Sequence, residues 1–538
     1  MKKLLSLVLA VLMLTLVLAG CTGSGTPAGA GKQLVVQVGP NPESIDPAMN
    51  TTVDGACMII HAFECLITIA EDGSYQPGQA ESWEVSDDGL TWTFHLREGL
   101  KWSDGTAITA NDFVYSWQRV ADPEMAFPYA ETVLAMVKGW DEAVNGDPTA
   151  LAVSAPDDLT FVVELSTPTP YFEGLASFPT LSPVQQATID ANGDAWAVEA
   201  DTYVSNGPLM ITEWVPSSHI TMSKNPNYWN ADAITLDSIK FMLIEDANAS
   251  YSAYQSGEVL MIKDVPIEEV ASLQGNPEYH LDPLLGTYYI SMRNQEGPLS
   301  DPLVRKALSL AVDRTYIAYT IMQGTYLPAG NIVSPGITDY DGSQFIDNAN
   351  GGQPYNPLTA DMEAAKALLA QAGYPNGEGL GDIQYVTNDS AYHKPVAEYL
   401  QQVWGELGLT VNVEIAEWAT FSADRRSGAF MAARNGWIAD YNDPTSFLDI
   451  FVTGGGNNDG KYSNPVYDAA LEAARNAATS EERFAALHEA EDTLMADAGI
   501  IPLAYYSEFY LVSANVTGWW FSPDGNWHFM YADIVDAA

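Results

Sequence analysis

Residues 418–447 hold the side chains of this chain best suited to meeting a charged ligand. Arg425 and Arg434 are cations, Asp440 is a carboxylate, and Trp418 and Trp437 are large aromatics, in a stretch otherwise poor in catalytic groups. A guanidinium presents a planar fork that meets a carboxylate through two hydrogen bonds. A carboxylate in a closed site calls for a cation, because an unpaired buried charge is very costly. Aromatic walls give contact area while their polar edges tolerate water. Each residue also has a plainer reading. Asp440 could cap a turn with Asn442 and Asp443 ahead of Pro444. Arg425 could pair with Asp424, and any single aromatic could be core. Arg434 and Asp440 differ by an even number, which puts both on one face of a regular strand, but the strand is expected to end between them.

The elements that must position these residues alternate between strand and helix. Residues 34–38 form a short apolar strand, and residues 91–96 place Trp92, Phe94 and Leu96 on one face. Thr109 with Asp112 reads as an acidic capping box opening a helix. Residues 160–165 form another strand, ended by Pro168 and Pro170. Residues 288–292 read as strand, and Pro302 opens a helix expected to run to Met322. Helices are expected over residues 359–372, 395–407, 465–478 and 480–496, with strands over 411–415 and 500–512. This pattern predicts α/β lobes with largely parallel sheets. At 538 residues the chain needs more than one domain.

The first residues read as an export signal. Lys2 and Lys3 precede an apolar run over residues 4–18, shorter than the roughly 20 residues of a bilayer span. Residues 22–31 are rich in Gly, Ser, Thr, Ala and Pro, as in a flexible tether. The net charge is −48, which disfavours nucleic acid as a partner. The acidity suits a well-solvated surface; a cationic substrate or a salt-rich habitat would account for it too. Cys57 and Cys65 are expected on one helix over residues 53–66, about 12 Å apart along its axis and too far to bridge. They are expected to be free and buried.

Residues 436–447 (GWIADYNDPTSF) closely resemble a signature of the oligopeptide-binding lipoproteins that feed bacterial ABC importers. Residues 94–106 (FHLREGLKWSDGT) resemble a hallmark of the wider peptide- and nickel-binding group of extracellular solute-binding proteins. Residues 112–119, 206–208, 225–229, 286–289 and 311–314 are similar to the same branch, in the same order. The resemblance implies a two-lobed periplasmic-binding-protein-like α/β fold with a hinge. Lobe one would use residues 33–63, 181–286 and 506–538, an extra domain 64–180 would be inserted in it, and lobe two would be 287–505. The chain would cross between lobes near Thr287 and Tyr505. Residues 18–21 (LAGC) look like a lipoprotein cleavage site, implying removal of residues 1–20, lipid on Cys21 and a lipidated tether over 21–32.

The resemblance also implies a ligand. A free peptide is a zwitterion with variable side chains, so its receptor needs an anion, cations and permissive walls. Asp440 would hold the α-amino group. Arg425, Arg434 and His393 would serve the C-terminal carboxylate, with His393 otherwise a solvated residue on a surface helix. Trp418, Trp437, Tyr129 and Tyr289 would line side-chain pockets. Asn435 and Gly436 would offer backbone to an extended peptide, a mode that reads main chain rather than sequence. Two departures stand out: relatives often carry cysteines where Gly286 and Ile438 stand, and an acidic residue of some relatives is Thr51 here.

The implied partners are short peptides, the permease subunits of an ABC transporter and the membrane through a lipid anchor. The protein is expected to be a monomer on the outer face of the cytoplasmic membrane, without cofactor or metal. An enzyme is disfavoured, since there is no HExxH, GxSxG or Walker-type loop and the seven histidines have no metal-ligand spacing. Other ligands of the wider group remain open, namely a cell-wall peptide, a dipeptide, a nickel chelate or a sugar, as does a role as a surface sensor or adhesin.

Overall fold

A computed structural model of the chain describes residues 31–42, 44–71 and 73–535. The export signal, Cys21 and most of the expected tether lie outside the described residues. No helix among the described residues is long and apolar enough to cross a membrane.

One large sheet runs through the molecule. Its strands follow the order Val411–Ala416, Ile383–Asn388, Ala432–Ile438, Tyr279–Met292, Ile500–Val512, Met261–Ile262, Gln33–Gln37, Ser238–Met242, His219–Lys224 and Leu209–Val215. Tyr279–Met292 and Ile500–Val512 pair antiparallel and join the two halves of the sheet. Their outer neighbours differ: Ala432–Ile438 flanks one, and Met261–Ile262 flanks the other. A separate four-stranded antiparallel sheet contains Ala80–Val85, Thr91–Leu96, Thr160–Glu164 and Val153–Asp157. Its strand Thr91–Leu96 buries Trp92, Phe94 and Leu96, as the alternation predicts. The helix Ala110–Val120 beside it starts at a capping box in which the Thr109 amide donates to Asp112 Oδ2 at 2.7 Å.

The sheet is mixed rather than largely parallel. Parallel pairing is confined to Gln33–Gln37 with its two neighbours and Ile383–Asn388 with its two neighbours. The hairpin of Leu209–Val215 with His219–Lys224 and the two long joining strands are antiparallel, because each reverses direction through the turn or crossing that connects it.

Two helices are shorter than the sequence suggests. The helix opened by Pro302 ends at Leu310. There Asp313 caps a new start by accepting from the Tyr316 amide, and the buried Arg314 guanidinium gathers the carbonyls of Ser309, Val312, Pro357 and Pro502. The helix Val53–Ala62 stops before Cys65, and the Ala62 carbonyl accepts from the Gly207 amide instead of a further turn. Cys57 and Cys65 therefore do not share a helix; both are buried and unbridged.

Candidate functional site: a cleft between the two halves of the sheet

The strand Ala432–Ile438 is paired along its whole length to Gly286–Met292 on one edge. On its other edge only Ala432 and Ala433 are paired, to Tyr385 and Val386. Arg434 to Ile438 thus present backbone to a cavity of about 790 Å³, which Arg434, Asn435, Gly436, Trp437 and Ile438 all line. Gly436 is required here, because a side chain would run into the Tyr506 hydroxyl. The positions Gly286 and Ile438 are register partners across the pair.

Asp440 follows the strand end. Its Oδ1 accepts from the Tyr129 hydroxyl at 3.4 Å, and its Oδ2 is buried with no hydrogen-bond partner. Burial pushes its carboxyl up to about 8, with the nearby Asp524 adding to the shift and the Tyr129 hydrogen bond opposing it. The turn is capped by a different residue. Asp443 Oδ1 accepts from the Thr445 amide at 3.0 Å, while Asn442 Oδ1 accepts from the Thr338 amide at 3.0 Å. The side chain of Asp440 is therefore spare, and it lines the cavity.

The three expected cations are not equivalent. Arg434 is in none of the ion pairs of the described residues; its Nη2 donates to Tyr506 Oη at 3.4 Å and its Nε is buried without a partner. The guanidinium carbon sits 5.7 Å from the Tyr288 ring centre and 5.9 Å from that of Trp418. Arg425, on the helix Trp418–Ser427, is already paired: its Nε lies 3.2 Å from Asp459 Oδ2, and it donates to Asn435 Oδ1. Asn435 in turn donates to Asp459 Oδ2 at 3.1 Å. His393 is neither exposed nor a cation. Only 8% of it is exposed, at the start of the helix His393–Gly405, with its ring edge-on to Tyr288 at 5.2 Å. Burial, and secondarily the charge of Arg434, drive its pKa well below 6.5. It offers the cleft a neutral imidazole whose Nδ1 has no partner.

The four aromatics all line the cavity but divide in character. Tyr289 is a core residue at its inner end, 2% exposed and packed edge-on to Phe451. Tyr129 and Trp437 stand 6.4 Å apart beside Asp440, with Phe178 against Tyr129 at 5.1 Å. Trp418 is half-buried at the start of its helix, against Phe421 at 6.0 Å.

Contacts across the cleft hold its walls together. Tyr171 stacks on Tyr441 with ring centres 4.8 Å apart and planes 2° from parallel, and Arg426 donates to Thr51 Oγ1 at 3.2 Å. The lining also includes Lys263, Asp264, Glu508, Tyr326 and Tyr506, which the sequence reading did not select. A signal for them exists: Lys263-Asp264 interrupts an apolar run, and Tyr506 and Glu508 are alternate residues of a strand that is otherwise mostly apolar.

Residues 74–459 match the family of bacterial extracellular solute-binding proteins, family 5. The periplasmic oligopeptide-binding protein OppA of Salmonella typhimurium is 37% identical over 96% of this chain and 95% of its own. The crystal structure of Haemophilus influenzae OppA in complex with RPPGFSPFR is 32% identical, covers 94% of this chain and 100% of that one, and superposes with a TM-score of 0.85. An unliganded open form of the murein tripeptide-binding protein MppA, at 30% identity over 96% of this chain and 99% of that one, gives only 0.64. Identity and coverage are nearly equal in the two comparisons, yet the superposition is much closer on the peptide complex. Contacts bridge the cleft in this structure as well, through Tyr171 with Tyr441 and Arg426 with Thr51.

Proposed function

The chain belongs to the bacterial extracellular solute-binding proteins of family 5, and on that footing we propose that it captures short oligopeptides outside the cytoplasm and delivers them to an ABC importer. It is a solute-binding protein and not an enzyme. The observation that carries the peptide reading is a pair of ionisable groups, Asp440 and Arg434, each with a buried atom that lacks a hydrogen-bond partner, flanking an unpaired strand edge. Asp440 keeps one carboxylate oxygen without a partner, and Arg434 has no carboxylate of its own. A zwitterionic, extended ligand answers all three needs: ammonium to Asp440, carboxylate to Arg434, main chain to the edge at Asn435 and Gly436. Arg434 and Asp440 are six positions apart, so their Cα atoms lie at most about 20 Å from each other, the length of about six extended residues.

In this reading His393 donates or accepts as a neutral ring beside the carboxylate, and Arg425 holds Asn435 and Asp459 in place rather than meeting the ligand alone. Trp418, Trp437, Tyr129 and Tyr289 wall the side-chain pockets. The lobes are assigned as 33–63, 181–286 and 506–538 against 287–505, with 64–180 inserted, and the protein acts as a monomer. Residues 1–20 direct export, and Cys21 carries the lipid that keeps the receptor at the outer face of the cytoplasmic membrane. Mass spectrometry of molecules released by denaturing the purified protein tests the ligand class. A population of short linear peptides is expected; a single non-peptide solute would overturn the reading.

A further inference from the structure

The cavity holds a second group of charges that the ends of a peptide do not use. Lys263 and Asp264 follow the strand Met261–Ile262, Glu508 stands on Ile500–Val512, and Asp54 on the helix Val53–Ala62. All four line the cavity. The Lys263 ammonium interacts electrostatically with Glu508, Asp264 and Asp54. It is nevertheless in none of the close ion pairs of the described residues, whose buried members are Arg119–Asp46, Arg425–Asp459 and Arg483–Asp443. Asp264 Oδ2 accepts from Gln37 Nε2 at 2.7 Å. Asp54 is 8% exposed and its Oδ2 has no hydrogen-bond partner.

Three carboxylates thus act on one ammonium without forming a close ion pair with it. Aromatic rings line the same cavity, with Tyr326 edge-on to Tyr506 at 5.2 Å and Tyr392 edge-on to Phe509 at 5.6 Å, and the Lys263 ammonium lies 5.5 Å from the centre of the Trp527 ring. Aromatic faces beside carboxylates suit the long stem and charged head of a basic side chain. An anionic guest would meet one cation and three anions, so the balance of charge opposes it.

We propose that this corner selects a cationic side chain, lysine or arginine, at one internal position of the bound ligand. The proposal rests on the peptide reading above and names the peptides preferred. An extended peptide sends alternate side chains to opposite sides, so a single position of the ligand meets the corner. Burial raises the pKa of Asp54 and Asp264, and that of Glu508 to about 7, so each carboxylate gains from a further cation.

The test is calorimetry on tetrapeptides carrying lysine, norleucine or glutamate at each internal position. At one position lysine is expected to bind at least tenfold more tightly than norleucine, and glutamate more weakly than both. Glu508→Gln should bring the lysine-to-norleucine ratio towards one, and Lys263→Met should widen it, so either variant is informative if the other fails to fold. Equal lysine and norleucine affinities at every position, or a ratio unmoved in both variants, would overturn the proposal. If norleucine peptides bind but lysine gains nothing, only the selectivity fails; if no peptide binds, the peptide reading fails and this proposal with it.

Discussion

The Tyr129 hydroxyl reaches Asp440 across the cleft, donating to Oδ1 at 3.4 Å while Oδ2 stays buried and unmet. One oxygen is thereby fixed by the protein and the other is left for a guest. Neutralising Asp440 should remove the guest's partner without disturbing the turn, which Asp443 caps. For Asp440→Asn we expect peptide affinity to fall by roughly 3–5 kcal/mol, the cost of leaving one member of a buried charge pair alone. Titration calorimetry of variant and parent checks this; unchanged affinity would return Asp440 to a structural role.

The same carboxyl couples closure to pH. In the empty, closed cleft its pKa is raised from 3.8 to about 8, so closing without a ligand takes up a proton below pH 8. Empty closure therefore weakens as pH rises from about 4 to 8. Glu508, raised to about 7, acts in the same sense. His393, lowered in the closed form from 6.5, opposes closure only below about pH 6.5. Between pH 6.5 and 8 the carboxyls dominate. Small-angle scattering of ligand-free protein should give a larger radius at pH 8 than at pH 6.5, and peptide-saturated protein no such change. A radius independent of pH in the empty protein would contradict the coupling.

Arg434 and Arg425 should separate on substitution. Arg434 has no carboxylate partner in the protein, so Arg434→Met should cost binding, by about 2–5 kcal/mol, with little loss of stability. Arg425→Met strands the buried Asp459 and should lower stability by roughly 3–5 kcal/mol. Urea unfolding and calorimetry on both variants read the two effects.

Neither free thiol should react in the folded protein. Cys57 and Cys65 are buried, and burial pushes both thiols up to about 12, far from thiolate at pH 8. Intact mass after alkylation should show no adduct on either residue until denaturant is added.

Much of the scaffold could be read along the chain because it is local. The helix Ser480–Ala496, the strand Ile500–Val512 and the Thr109–Asp112 capping box depend on spacing within a few residues. The helix from Pro302 stops at Leu310 although apolar periodicity continues beyond it, because Arg314 makes contacts up to 188 residues away. The site is less legible for the same reason. That Asp459 pairs with Arg425, that His393 is buried beneath Tyr288, and that Asp264 and Glu508 share a corner are products of sheet order, not of spacing. Arg425, Arg434 and Asp440 lie in one contiguous stretch, whereas the charged corner is assembled from three separate segments.

The central claim is that the cleft reads both ends of a free peptide. One calorimetric comparison tests it most directly: a tetrapeptide with free ends, the same peptide N-acetylated, and the same peptide C-amidated. Tight binding of the free form is expected, with a loss of at least about 2 kcal/mol on blocking either end, since each block leaves a buried ionisable group of the protein without its partner. Equal affinity for all three would contradict it.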